Sequence, residues 1–479
     1  MRAIRWLQAH IIPRLHWGLY LWVALLPFQL PLEHVLGLRL ALSDVALAGT
    51  LFVGLACRVL GACPRPEQRR RRTSLDGYLA ALVAIFAMAL GVAWARTGEL
   101  TTYTLVNKGA GILVLVTSFY VVVALASAPH RLRRVVATLL GSVGAVNAVS
   151  LALYGAWLRS GGPNSLVSTR RLAGFLIDPN AYGGLLTVAL FVQLGVLVGS
   201  RTKSRWAQVA GTANVLLLGA GLVLTRSRSA WVALAVGGVV LLWLIRRRLT
   251  WKRALIAATA VGCAGGSLLL LAGGAVTSLL KDALKPASIL VRWEQVTGGL
   301  RYFPGSPIWG IGLDVYRRLQ PPYIIHNTYV WFLVEMGAIG LIVLLALLAR
   351  VGRNWAAALR STDWSWGLAV GGAAAFAAML GLAVGIEALY QRPLWLLFAL
   401  AELLRQRVSQ GRLALSAEHA KEPPLSAIPP TLPPRHDSPR WSNLPSQTMR
   451  DRRACLPSEY TDTISHVARV MCLLSRSAR

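Results

Sequence analysis

Apolar runs about as long as a bilayer is thick recur along most of this chain. An α-helix rises 1.5 Å per residue, so roughly 20 apolar residues cover the ~30 Å hydrocarbon core. Such runs lie near 17–30, 40–60, 77–95, 109–128, 135–157, 181–199, 207–225, 230–245, 254–274, 328–349, 366–386 and 392–404. The pattern predicts an all-α fold, a polytopic transmembrane helical bundle of about 12 spans with one long helical periplasmic loop.

Two stretches depart from it. From Val276 to Ile325 the chain is too polar to span, and Pro286, Pro304, Pro307, Pro321 and Pro322 predict short helices joined by turns. After about Gln406 the chain is rich in Pro, Ser and Arg, with Pro423-Pro424, Pro429-Pro430 and Pro433-Pro434. Such a composition buries no core, which predicts a disordered tail.

Charge then orients the spans. Dense positive clusters occupy every second loop: the N-terminus with Arg2, Arg5 and Arg14, the Arg69–Arg72 run, Arg131 to Arg134, Arg201 to Arg205, Arg246 to Arg253, and Arg350 to Arg360. Cytoplasmic loops carry the excess of Lys and Arg, so both termini are expected in the cytoplasm. The expected organisation is a cytoplasmic N-terminus over 1–16, transmembrane helices 1–9 over 17–274 and a periplasmic catalytic loop over 275–326. Transmembrane helices 10–12 over 327–405 and a disordered cytoplasmic tail over 406–479 complete it. The N-terminal apolar stretch shows no small-residue cleavage site and reads as a retained helix.

Composition agrees. The 479 residues are 55% hydrophobic and 14% charged, where a soluble domain is about a quarter charged. The net charge of +31 sits in short clusters between apolar runs, a distribution that suits anionic lipid head groups and argues against nucleic acid. The cysteines Cys57, Cys63, Cys263, Cys455 and Cys472 form no CxxC pair and no cluster with His, so neither zinc nor a disulfide framework is signalled.

The candidate chemistry lies in positive charge on the expected periplasmic side, where Lys and Arg should be scarce. Arg170, Arg171, Arg226, Arg228, Lys281, Lys285, Arg292, Arg301, Arg317 and Arg318 all fall there. Forked guanidinium donors match phosphate oxygens, so the set reads as an anion site; pairing with local acids or lipid phosphates is the plainer alternative for any one of them. Arg226 and Arg228 occupy a connection of only a few residues between two apolar helices, which sets them at the membrane face. Arg292 lies inside the long loop, where Glu294 could pair with it. His326 stands where that loop meets the next helix. An imidazole there can take a proton from a sugar hydroxyl, and nearby arginines favour its neutral form. Asp178, in Asp178-Pro179-Asn180, could orient His326 or an arginine. Asp44, Glu335 and Glu387 lie in or near apolar runs, where acids are usually paired within the bundle. No DxD-like acid pair appears in the outer loops, so no metal–nucleotide-sugar site is indicated.

Four stretches together resemble the O-antigen ligase family, which shares a domain with O-antigen polymerases. They are Gly174 to Asn180, Leu224 to Trp231, Gly310-Ile311-Gly312-Leu313-Asp314-Val315-Tyr316, and His326-Asn327-Thr328-Tyr329 running to Glu335 to Gly340. Their order and spacing fit over roughly residues 15 to 405. The resemblance implies a glycosyltransferase of lipopolysaccharide biosynthesis in the bacterial inner membrane, using no cofactor. It moves a glycan from undecaprenyl pyrophosphate to the lipid A–core at the periplasmic face, without metal and with inversion. The family's essential loop histidine maps to His326, its loop arginine to Arg292 and its turn arginine to Arg228, making these the expected catalytic residues. Arg226 stands where the family varies. Arg226, Arg170, Arg171, Asp178, Asn327 and Arg301 are the expected substrate-binding residues. The expected partners are the undecaprenyl-pyrophosphate-linked donor, the lipid A–core acceptor and membrane lipids. An O-antigen polymerase or protein O-oligosaccharyltransferase would use the same chemistry on another acceptor. A transporter of a lipid-linked or anionic substrate would instead show broken helices near the midplane in paired halves.

Overall fold

The computed structural model describes residues 14–29, 41–60, 72–160, 167–168, 171–176, 178–199, 204–246, 286–320 and 324–419. The helices in chain order are α1 His16–Ala24, α2 Leu42–Val59, α3 Asp76–Thr97, α4 Gly111–Leu125, α5 Pro129–Ser160, α6 Pro179–Gly199, α7 Arg205–Leu224, α8 Arg228–Ile245, α9 Pro286–Leu300, α10 Val315–Leu319, α11 Thr328–Ala358, α12 Ser365–Leu382 and α13 Arg392–His419. A π-helical stretch, Tyr103–Ala110, runs directly into α4. The sheet among the described residues is one antiparallel pair, β1 Val167–Ser168 with β2 Arg171–Leu172. Nine helical segments among the described residues are long and apolar enough to cross a membrane. The protein is therefore all-α and multi-pass.

Three expected elements differ or lie elsewhere. The run at 17–30 forms only the nine residues of α1, about 14 Å of helix and too short to span. Pro27 lacks an amide donor and ends it, and Gln29 bridges to Ala41 instead. The tail does not begin at 406, because α13 continues to His419. Arg405 and Gln406 bond back to Glu402, and Arg407 pairs with Asp363; these contacts hold the extra turns. The run at 254–274 and the tail beyond 419 lie outside the described residues, as do Lys281 and Lys285.

The centre of the bundle is set by glycine. Between α6 and α12, a side-chain carbon added at Gly195 would lie 2.4 Å from the backbone of Gly367 and Gly371, and one at Gly199 would lie 2.4 Å from Gly367. Lipid tails are as apolar as Leu, so helices in a bilayer associate through close packing, which small residues four apart permit. Large apolar side chains such as Phe52 (73% exposed) and Val239 (68%) point outward, as lipid contact requires.

α11 is broken at Gly337, whose φ of 70° and ψ of −173° leave the helical region. An interrupted helix frees backbone groups, each costing several kcal/mol if left bare in the membrane. The loop before α10 takes them. Ile311 N–H donates to Val334 O at 2.9 Å, Gly312 N–H donates to Glu335 O at 3.0 Å, and Ala338 N–H donates to Pro307 O at 2.8 Å. Gly310 and Gly337 are required for this approach. A side-chain carbon would sit 2.4 Å from Glu335 O at the first and 2.1 Å from Ile308 O at the second. Glu335 is buried and accepts from Asp314 N–H (2.8 Å) and Trp331 Nε1 (2.7 Å). It is thus the acid that fastens the loop to α11.

Candidate active site

The turn between α7 and α8 is built by local hydroxyls. Ser227 caps α8, its Oγ accepting from Ala230 N–H at 3.3 Å, and Thr225 Oγ1 accepts from Ser227 N–H at 3.3 Å. These bonds hold Arg226 at a φ of 50°, a conformation that non-glycine residues adopt at some cost and that is frequent at functional sites. Gly183 lets α6 come close, since a side-chain carbon there would meet Ala230 at 2.7 Å.

A second segment joins this turn. Arg171 Nε donates to Thr225 O at 2.9 Å, and its Nη2 donates to Asn180 Oδ1 at 2.9 Å. Ser227 Oγ also donates to Asn180 Oδ1 at 2.9 Å. Asn180 is held in turn by Asp178, whose Oδ1 accepts from its backbone N–H at 2.9 Å and its Nδ2 at 3.1 Å. Asp178 therefore positions an arginine through an asparagine.

α9 supplies the third component. Arg292 Nη1 donates to Ser229 Oγ at 3.0 Å, a neutral partner. Gly385 leaves the space, because a side-chain carbon there would fall 2.2 Å from that hydroxyl and 3.1 Å from the Arg292 guanidinium. Burial first, and then its neighbours Arg292, Arg228 and Arg226, push the Arg171 guanidinium below its ordinary value against the pull of Asp178. Burial and Arg228 do the same to Arg292. Arg171, Arg226, Arg228 and Arg292 thus form one crowded group drawn from three segments, with Asp178 among them.

His326 borders this group and also lines a cavity of about 610 Å³, with Asp178, Asn180, Lys108, Glu387 and Arg392 among the other lining residues. Desolvation lowers the imidazole below its ordinary 6.5, and Arg292 and Lys108 add to that against Glu387 and Asp178. The neutral form, which can accept a proton, therefore prevails at neutral pH. No hydrogen bond to the ring is found among the described residues.

Other expected site residues take different places. Asn327 caps α11, its Oδ1 accepting from Tyr329 N–H at 3.0 Å and Val330 N–H at 3.1 Å. Arg301 lines a separate cavity, and Arg170 lies outside the described residues. Arg317 donates two hydrogen bonds to the Asp314 carboxylate, both at 2.7 Å, and Arg318 pairs with Glu99. The plainer alternative thus holds for these last two. Asp44 pairs with Arg392 and Glu387 with Lys108, as intramembrane acids usually do.

Lys108 and Arg392 were not singled out from the sequence. Lys108 is buried among rings, 4.7 Å from the Trp331 centroid and 4.8 Å from that of Tyr390. A lone lysine inside an apolar run is itself the available signal. Among the described residues no group of His, Cys, Asp or Glu side chains could hold a metal ion.

The arrangement defines a class: a multi-pass helical membrane protein with clustered guanidiniums and a neutral imidazole bordering a polar cavity. Residues 213–345 match the family model described as O-antigen ligase. That span contains Arg226, Arg228, Arg292, Arg301, His326 and Asn327; Arg171 and Asp178 precede it. The match supports chemistry of the O-antigen ligase and polymerase type on lipid-linked glycans. No curated protein matches the chain.

Proposed function

We propose that the protein transfers a glycan from undecaprenyl pyrophosphate to the lipid A–core at the periplasmic face of the inner membrane. The observation that supports this most is the meeting of Arg171, Arg226, Arg228 and Arg292 beside a histidine held neutral. A hydroxyl oxygen of the acceptor attacks the anomeric carbon from the face opposite the leaving group, which accounts for inversion. The bond from that carbon to the phosphate oxygen breaks, and the electron pair leaves with the lipid pyrophosphate. Arg228 and Arg292 stabilise the charge that grows there, and their effect is largest in the transition state. His326 takes the acceptor's proton. Arg171 and Arg226 hold the diphosphate, and Asp178 keeps Arg171 in place through Asn180.

The break in α11 does not favour a transporter. Its freed carbonyls are taken by Ile311 and Gly312, so they are not offered to a travelling ion.

The test is transfer in vitro with purified protein, lipid-linked glycan and rough lipopolysaccharide. Wild type should cap the acceptor without added metal. His326→Ala should lower the rate by about 10²–10⁴-fold at unchanged expression and membrane insertion. Normal transfer by that variant would remove the base assignment.

A further inference from the structure

Beyond Arg292, α9 forms one wall of a second cavity, of about 300 Å³. Glu294, Gln295 and Arg301 line it together with Tyr302, and Tyr316 and Gln320 face them. The His326 cavity shares none of these residues. The set combines a carboxylate, a guanidinium and two amides with two phenol rings. Planar groups of both polarities suit the paired hydroxyls of a sugar, and the rings offer an apolar face with a polar tip. The walls are braced. Tyr302 and Tyr316 meet edge to face at 6.0 Å, Gln320 Nε2 donates to Tyr302 Oη at 3.1 Å, and Tyr316 Oη donates to Gln295 O at 3.3 Å.

Gln295 supplies an independent observation. Its side chain is only 7% exposed, and among the described residues its Oε1 is buried with no hydrogen-bond partner. A buried acceptor left bare costs about 1–3 kcal/mol. Gln295 lines the cavity, and a turn of its amide toward it would let a ligand hydroxyl recover that cost.

We infer that this cavity is a saccharide subsite, gripping one sugar unit of a glycan whose reacting end lies at His326. Its volume is at the lower end of small-molecule sites, roughly 300–1,000 Å³, which suits a single unit. Helical rise puts Gln295 about 5 Å past Arg292 along α9, and Arg301 follows the end of that helix, so the gripped sugar stands beyond the one under attack. The identity of the glycan rests on the transferase reading; saccharide binding does not.

The full chain in nanodiscs is titrated, by saturation-transfer NMR, with glycan released from the donor lipid and separately with core oligosaccharide released from rough lipopolysaccharide. Gln295→Leu should weaken one of the two at least tenfold, and the affected glycan identifies donor or acceptor. Its Tm should hold or rise, because leucine removes a bare buried amide oxygen. Gln320→Ala, at the exposed rim, should weaken the same glycan. In transfer, both variants should raise KM for that glycan and leave kcat unchanged. Unchanged binding in both variants would overturn the subsite, and so would a loss in Gln295→Leu that follows a fall in Tm while Gln320→Ala is silent. Wild-type binding without any transfer would refute the transferase reading and leave the subsite standing.

Discussion

A buried and a half-buried polar cluster sit at opposite ends of α11, and they handle charge differently. At the far end, Glu402 is fully buried and both its oxygens are bonded. Ser74 Oγ donates at 2.5 Å, Asn354 Nδ2 at 3.0 Å, Arg405 Nη2 at 2.6 Å and Gln406 Nε2 at 2.8 Å. One carboxylate meets one guanidinium, and amides and a hydroxyl complete the shell. At the near end Arg171 and Arg292 bond to a carbonyl, an amide and a hydroxyl. Neutral acceptors fix a cation's direction without cancelling its charge. The first cluster is closed and ties α3, α11 and α13 together. In the second, neutral groups aim Arg171 and Arg292, and Asp178 is a carboxylate that acts on both from nearby.

The contrast can be broken at either end. Glu402→Ala leaves Arg405 half-buried without its carboxylate. Removing one partner of a buried pair costs about 3–5 kcal/mol, so thermal unfolding should shift markedly while kcat per folded molecule stays unchanged. Arg228→Lys should do the reverse. It keeps the charge and loses the fork, so kcat should fall about 10²-fold with no change in Tm. A Tm loss in Arg228→Lys would place that arginine with Glu402, as a structural group.

Smaller effects sharpen the difference. Asn327→Ala removes a helix cap worth about 1 kcal/mol. A modest drop in Tm with unchanged KM would assign Asn327 to capping, and a raised KM would restore it to substrate binding. The pH profile is the finest probe. His326 must be neutral to act, so activity falls as pH drops through its lowered pKa. Arg292 depresses that value and Asp178 raises it. In Arg292→Gln the acid limb of kcat/KM should move to higher pH, and in Asp178→Asn to lower pH. Movement in the opposite sense would show that the two groups act on His326 by another route.

Nine of the expected spans were legible because a bilayer demands long apolar runs; the run at 17–30 looks like a span and is not one. Pro27 shortened α1, and the tertiary bonds of Glu402 and Asp363 lengthened α13; neither effect shows in hydropathy. The short turn holding Arg226 and Arg228 was readable because the apolar runs on either side leave only a few residues between them. The gathering of Arg171 with Arg292 was not, since it depends on Asn180, Ser229 and the bare backbone of Gly385, residues with no chemical signal of their own. The Gly310-Ile311-Gly312 stretch carried part of the family resemblance, and the structure shows it threaded against the gap in α11. Lys108 was hard to read because its partners, Glu387 and the Trp331 and Tyr390 rings, are distant in the sequence.

That threading has a mechanical result. The loop that brings Arg292 and the helix that follows His326 are splinted to each other at Gly310 and Gly337, main chain against main chain. If Arg292 and His326 act as proposed, these main-chain bonds would fix the spacing between the two. Arriving lipids would find the two already in register, with little left to rearrange.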